Sequence, residues 1–177
     1  MHECVMTVQV YNKAGKGNGL VHHYDAQTKK WSDKVGHDAQ YALGISFAPS
    51  GDIYYITDHA SKKLNEIRRI QCMDGRPMGA GQSCSKYKEV VKPVSKIGDS
   101  HGWGNLVVTG DGTILYNEKT GHYIGYYKEG MKSPQQVPHN KNGGSISHPW
   151  GMAVAPNSGD IYVSDYGQGK LWVIRKS

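Results

Sequence analysis

Two tryptophans begin equivalent strands of an internal repeat, and polar residues lie close to both. Trp103 is followed by Asn105, and His148 precedes Trp150 by two residues. A flat aromatic ring covers the apolar side of a sugar ring, while amide, carboxylate and imidazole groups hydrogen-bond its hydroxyls. These residue types predict a carbohydrate site with eight candidates: Trp103, Asn105, Asn117, His122, His148, Trp150, Asp58 and Asp165. The alternative is that both tryptophans pack between neighbouring sheets.

Asp58 and Asp165 take matching positions when residues 43–59 are aligned with residues 150–166. Their carboxylates could point toward a central channel or toward a junction between repeats. An Asp followed by His-Ala or Tyr-Gly more often caps a turn through its side chain. The sequence is compatible with both roles.

Nine histidines suggest a metal site, since imidazole is a common ligand of zinc and copper. No His-x-His or His-x-x-x-His strand spacing supports one, so a site would need His101 and His148 to converge in space. Asn117-Glu118 alone offers few of the six to eight oxygens that calcium takes. The sequence also has neither a Gly-x-Ser-x-Gly elbow nor a phosphate-binding loop. We therefore expect no cofactor, with calcium or zinc as the alternative.

The repeat is clearest in residues 150–174, where three short apolar segments are separated by turn residues. Residues 43–59 reproduce its glycine, its Ala-Pro turn and its Gly-Asp-Ile-Tyr segment, and a looser copy begins at Trp103. Spacings of 60 and 47 residues separate the repeat glycines, which are Gly44, Gly104 and Gly151. A four-stranded β-propeller blade takes about 40–50 residues. Radial stacking of such blades buries sheet faces that one small sheet would leave exposed.

Length and composition favour one all-β domain over residues 1–177, with 23 glycines and 12 tyrosines. We expect a β-propeller of short four-stranded antiparallel blades, with about four blades' worth of sequence. Its units are approximately residues 1–36, 37–96, 97–143 and 144–177. The segment Val5–Tyr11 could complete the last blade and close the ring. The alternatives are a fragment, or a half ring that another copy completes.

The formal net charge is +6, but the lysines and arginines are scattered along the chain. Nucleic-acid binding would require a clustered basic face and a recognisable module, so we expect no nucleic-acid partner. The sequence contains no run of 18 apolar residues, so we expect no membrane span.

The cysteines indicate the compartment. Cys72 and Cys84 flank a glycine-rich loop, which predicts a disulfide-closed hairpin and an oxidising environment. We therefore expect a secreted or extracellular protein, although no signal peptide is visible. The alternative is three free thiols, including Cys4, in a cytosolic protein.

Two stretches resemble known repeat families. His148-Pro149-Trp150-Gly151 through Ile174 resembles an NHL repeat of six-bladed propellers, with an apolar strand, a proline–glycine turn, an Ile-Tyr-Val strand and an Asp. Gly102-Trp103-Gly104-Asn105 followed by Asp111-Gly112-Thr113-Ile114-Leu115-Tyr116 resembles a blade of tachylectin-type lectins. The resemblance covers about residues 43–70 and 97–175. It implies a propeller, a fold that also hosts metal-dependent lyases, lactonases and protein-binding platforms.

The leading hypothesis is non-enzymatic recognition, namely a lectin that binds sugar at blade junctions. Its partner would be a carbohydrate, and self-association could complete the propeller. The alternatives are an NHL-type metal-dependent lyase or lactonase-like hydrolase, and a protein-binding propeller platform.

Overall fold

The computed structural model describes residues 6–9, 21–25, 29–36, 44–59, 64–73, 87–89, 94–98, 105–118, 122–137 and 145–175. Within these residues lie fifteen β-strands and no helix, and the strands form four antiparallel sheets in chain order. None of the described residues forms a helix that could cross a membrane.

The first sheet consists of β1 (Met6–Gln9), β2 (Val21–Asp25) and β3 (Lys30–Gly36). The second sheet consists of β4 (Gly44–Phe47), β5 (Ile53–His59), β6 (Leu64–Cys72), β7 (Tyr87–Glu89) and β8 (Ser95–Gly98). The third consists of β9 (Leu106–Val108), β10 (Ile114–Glu118), β11 (Tyr123–Tyr127) and β12 (Gln135–Gln136). The fourth consists of β13 (Pro149–Val154), β14 (Ile161–Asp165) and β15 (Lys170–Ile174).

The outer strand of the second sheet is made in two pieces. β7 pairs with the end of β6, through Ile70 to Cys72, and β8 pairs with its beginning, through Asn65 to Ile67. The two short strands thus lie along one edge of β6 and act together as a fourth strand.

A tight turn that ends in a glycine joins the first two strands in each of the last three sheets. Its glycine has a positive φ, a conformation that costs glycine little because it has no Cβ. The three turn glycines are Gly51, Gly112 and Gly159, with φ of 87°, 82° and 74°. This shared geometry confirms the repeat that the sequence predicts.

Hydrophobic cores lie between consecutive sheets. Leu106, Val108, Ile114 and Tyr116 of the third sheet meet Tyr54, Ile56 and Ile67 of the second. On its other face, the third sheet places Val107, Leu115 and Ile124 against Met152, Ile161 and Val163 of the fourth. A further cluster of Ile53, Tyr55 and Ile70 lies on the other face of the second sheet. The second and third sheets therefore each bury both faces, as a propeller blade does.

The first strands of successive sheets approach one another: β4 lies near β9, and β9 lies near β13. The first and second sheets meet through β3 and β7. The four sheets thus form a series in which each sheet packs against its neighbour in the chain.

The structure confirms the all-β fold and the antiparallel blades, with four strands in the third sheet and three in the first and fourth. It corrects the predicted closure, because the strand within Val5–Tyr11 pairs with β2 of its own sheet and not with the fourth sheet. Cys72 is disulfide-bonded, but Cys84 lies outside the described residues, so the Cys72–Cys84 pairing stays a prediction. The exact limits of the four units also stay a prediction.

Candidate functional site

The junction between the third and fourth sheets brings together six of the eight predicted site residues. These are Asn105, Asn117, His122, His148, Trp150 and Asp165, and each touches another member of the set or a residue adjoining one. Trp103 lies outside the described residues. Asp58 lies in β5 of the second sheet, away from this junction.

Asn117 connects the two sheets through its amide group. The side chain is 2% exposed in β10, and its Nδ2 donates to the carbonyl oxygens of Pro149 at 2.7 Å and Trp150 at 3.0 Å. Its Oδ1 accepts the backbone N–H of Asn105. The whole amide is therefore occupied by backbone groups, which gives Asn117 a structural role at the junction.

Asp165 is the centre of the fourth sheet's hydrogen bonding and is buried at the end of β14. Its carboxylate accepts the backbone N–H groups of Ser147 at 2.8 Å and His148 at 2.9 Å. It also accepts Trp172 Nε1–H at 3.1 Å and two backbone N–H groups of the turn that follows β14. Burial alone would raise the pKa of Asp165, but these hydrogen bonds outweigh it and lower the pKa.

The contacts thus support the interpretation of Asp165 as a residue that caps a turn. The alignment of Asp165 with Asp58 is wrong. Asp165 is the fifth residue of β14, whereas the fifth residue of β5 is Thr57 and Asp58 is the sixth. The turn before β14 contains one more residue than the turn before β5, so the alignment shifts after the turn.

Two histidine side chains lie against each other beside Asp165. The rings of His122 and His148 lie edge to face, with centroids 4.7 Å apart. His148 Nδ1 lies 2.9 Å from Ser147 Oγ, and His122 Nδ1 contacts the Ser147 carbonyl oxygen. Gly167 lies directly against His148, because a Cβ there would overlap the imidazole ring. Both histidines are exposed, so they form the polar part of the junction surface.

Trp150 and Tyr166 form an exposed aromatic pair at the same junction. Their ring centroids are 6.5 Å apart and their planes are inclined by 49°. Trp150 is 55% exposed and Tyr166 is 81% exposed. The interpretation of Trp150 as a tryptophan packed between sheets is therefore wrong. Tyr166 was missed at the sequence level, although it directly follows Asp165.

The aromatic pair adjoins the face of the fourth sheet that points away from the third sheet. Strands β14 and β15 pair Tyr162 with Val173, and Ser164 with Leu171. Leu171 is 64% exposed, while Ile161 and Val163 on the opposite face are buried. We call the exposed set the outer face, and its members are Trp150, Tyr162, Tyr166, Leu171 and Val173. Apolar residues at consecutive positions of β15 were the sequence signal for it.

A concavity lies between the second and third sheets, at the strand ends opposite to those that carry the histidines and Asp165. It has a volume of about 400 Å³ and includes Arg69 and Lys128. Arg69 Nη1 lies 3.0 Å from a Glu129 carboxylate oxygen, and Lys128 Nζ lies 3.1 Å from Asp111. The hydrogen bond from Thr109 and the one from Lys128 lower the pKa of Asp111. The charged side chains named for this concavity are thus paired with one another within the protein.

Among the described residues, no three His, Cys, Asp or Glu side chains are grouped closely enough to hold a metal ion. The histidine pair and Asp165 adjoin each other, but the Asp165 oxygens already accept five N–H groups. The calcium and zinc alternatives stay predictions.

Comparison with known proteins places this geometry in a fold class. The second, third and fourth sheets, which share the glycine turn, form a partial β-propeller of roughly three blades. The NHL repeat family model matches residues 147–174, which contain the Asp165 hub and the outer face. No curated protein matches the chain.

Several solved structures resemble the chain over almost its whole length. A crystal structure of a nidogen–laminin complex matches with a TM-score of 0.60 at 14% identity, over 96% of this chain and 55% of that chain. Hydrazine synthase of Kuenenia stuttgartiensis gives 0.61 at 14% identity, over 96% and 49%. The calcium-binding protein regucalcin of Agrobacterium tumefaciens gives 0.51 at 15% identity, over 90% and 49%. The likeness shows the fold, and this chain spans about half the length of each. The tachylectin resemblance stays a prediction.

Proposed function

We propose that the protein is a non-enzymatic recognition module that binds a protein partner through the outer face of its fourth sheet. The observation that carries the proposal is the exposure of this face within an NHL repeat. Contiguous apolar surface on a soluble protein commonly marks a protein interaction site. Tryptophan and tyrosine are also the residue types that contribute most to binding energy in protein interfaces.

The polar groups of the junction favour a protein over a sugar. A sugar site needs directional hydrogen-bonding groups that are available beside the aromatic rings. The amide of Asn117 and the carboxylate of Asp165 are engaged with backbone groups. Their replacement by sugar hydroxyls would leave buried N–H and C=O groups without partners, at a cost of about 1–3 kcal/mol each.

Carbohydrate binding is the second candidate, supported by the Trp150–Tyr166 pair beside two exposed imidazoles. A lyase or lactonase remains the third, for which no metal-ligand group supplies support among the described residues. Because the nidogen–laminin match is a protein complex built on a propeller fold, it adds support to the first candidate.

The test compares the wild-type chain with Leu171→Asp, which places a charge in the outer face at an exposed position. The matched control is Met73→Asp, since Met73 is 47% exposed but directly follows β6 of the second sheet, away from the outer face. Proteins retained from an extract by each chain would be quantified, and any candidate would then be purified and titrated directly. We expect direct binding that Leu171→Asp weakens at least about tenfold and Met73→Asp leaves unchanged.

Equal binding by both variants would contradict a role for the outer face. A glycan array and elemental analysis of the same preparations test the other candidates. Selective glycan binding that is lost in Trp150→Ala would favour the lectin, and stoichiometric bound metal would favour the enzyme.

A further inference from the structure

The two histidines at the junction between the third and fourth sheets are arranged as a pair of metal ligands. We propose that His122 and His148 bind one divalent transition-metal ion, of the zinc and copper class, through their Nε2 atoms. Imidazole nitrogen is a ligand that suits zinc, copper and nickel. The pair lies beside the outer face but does not include it, so this inference does not rest on the proposed function.

The contact of His122 with a carbonyl group determines which of its ring nitrogens carries the proton. Its Nδ1 lies against the Ser147 carbonyl oxygen, and a carbonyl oxygen can only accept a hydrogen bond. Nδ1 is therefore the donor, and in the neutral ring the lone pair lies on Nε2. Histidines that ligate a metal almost always donate their other N–H in this way, to a carbonyl, a carboxylate or water.

The same serine holds the second ring. His148 Nδ1 lies 2.9 Å from Ser147 Oγ, a hydroxyl that can accept as well as donate. When Nδ1–H donates to that hydroxyl, the lone pair of His148 also lies on Nε2. Ser147 is itself held in place, since its backbone N–H donates to Asp165 at 2.8 Å. One positioned residue thus anchors both rings by the nitrogen that is not the ligand.

The separation of the two rings suits a shared ion. Two imidazoles that bind one zinc ion at about 2.0–2.1 Å, at an angle between a right angle and the tetrahedral angle, have ring centroids roughly 4.5–5.2 Å apart. The centroids of His122 and His148 are 4.7 Å apart, and the ring planes are inclined by 71°. Both side chains are exposed, so an ion can reach them and water can fill its other coordination positions.

Two protein ligands predict an ion that exchanges with the solution. In the part of the chain that the structure describes, no third His, Cys, Asp or Glu side chain joins the pair, whereas catalytic zinc sites use three protein ligands. The ion should therefore leave during dialysis against a chelator and bind again when it is added. Calcium and magnesium should not bind to the pair, because both prefer oxygen ligands.

Zinc titration of the chelator-treated chain, followed by NMR of the histidine rings, tests the pair residue by residue. His122→Gln should weaken binding at the remaining ring at least about tenfold, and so should His148→Gln, because even the loss of a residue behind a metal ligand costs about 10–100-fold. The control is His59→Gln, which removes a histidine at the end of β5 in the second sheet. The control should leave the affinity unchanged, as should Leu171→Asp in the outer face.

Gly167→Ala tests the geometry without the removal of a ligand. A Cβ at this position would overlap the His148 ring and Ser147 Oγ, so the ring has to move away. Because the overlapped atoms belong to side chains at the surface, the fold should survive, which circular dichroism checks. We expect weaker zinc binding in Gly167→Ala, and a smaller loss in Ser147→Ala, which removes the hydroxyl but keeps the carbonyl group.

Long-range proton–nitrogen NMR spectra identify the ligand atoms. Zinc should shift the Nε2 signals of His122 and His148 and leave both Nδ1 atoms protonated. Zinc bound through Nδ1, zinc binding that both glutamine substitutions leave intact, or the absence of a zinc-induced shift at these two rings in the folded chain would each overturn the proposal. Metal that resists dialysis against a chelator would overturn the two-ligand site and favour the enzyme. Protein binding through the outer face is measured separately, so either result can fail without the other.

Discussion

Replacing Asp165 by asparagine tests whether its carboxylate is the centre that holds the NHL repeat together. Asp165→Asn keeps the shape of the side chain but converts one acceptor oxygen into an N–H donor. In the folded protein, Oδ2 accepts Ser147 N–H and Trp172 Nε1–H. Oδ1 accepts three backbone N–H groups. Whichever way the new amide turns, at least two donors lose their acceptor.

The expected loss follows from those two hydrogen bonds. A hydrogen bond to a charged group contributes about 1.5–3 kcal/mol, so the loss is roughly 3–6 kcal/mol. Water replaces little of it, because Asp165 is only 2% exposed. Since whole domains are stable by about 5–15 kcal/mol, the variant should be severely destabilised.

The assay is denaturant unfolding followed by circular dichroism, with Asp111→Asn as the control. Asp111 is also a turn carboxylate with hydrogen-bonded neighbours, but its side chain is 48% exposed. Its substitution should cost no more than about 1 kcal/mol. If Asp165→Asn lost no more stability than Asp111→Asn, the assignment of Asp165 as a structural hub would be refuted.

Three further substitutions or conditions test the packing and the electrostatics. Gly125→Ala should lose roughly 1–3 kcal/mol in denaturant unfolding, because its Cβ would overlap the Tyr116 ring, whereas Gly110→Ala meets open space and should be near neutral. Asn117→Ala removes two hydrogen bonds between the third and fourth sheets and a third one to Asn105 of the third sheet, so its Tm in a thermal melt should fall by roughly 5–15 °C, and a fall of under about 2 °C would contradict the bridging role. The lowered pKa of Asp165 means that its stabilisation is present above the ordinary value of 3.8 and is lost as the pH falls through the lower folded value. Melts in acid should therefore show a steeper loss of Tm in the wild type than in Asp165→Asn, and parallel curves would contradict this.

The fold was predictable because its signals are local. Glycines such as Gly51 and Gly159 mark turns that need a positive φ, and the alternation of residues between them predicts strands. The pairing of the N-terminal strand was mispredicted because the choice between two possible neighbours depends on tertiary packing. Sequence periodicity gives no information on that choice.

The sequence predicted where the site lies, but it did not predict which partners its polar side chains bind. The sequence identified Asn117, His148, Trp150 and Asp165, and the structure places them together at one junction. It could not show that Asn117 donates to carbonyl groups of the next sheet, more than 30 residues away in the chain. The outer face was missed because Leu171 and Val173 look like core residues until the neighbouring sheet is known.

The two hydrophobic cores that span two sheets join sheets that are consecutive in the chain, and this has a consequence for synthesis on the ribosome. When a new sheet emerges, the surface on which it packs has already been made, so no early segment has to wait for a distant one. Long-range strand pairing slows the folding of many all-β proteins, whereas each described strand here pairs within its own sheet. A ring closed by its own N-terminal strand would instead require the first residues to stay unpaired until the last had been translated.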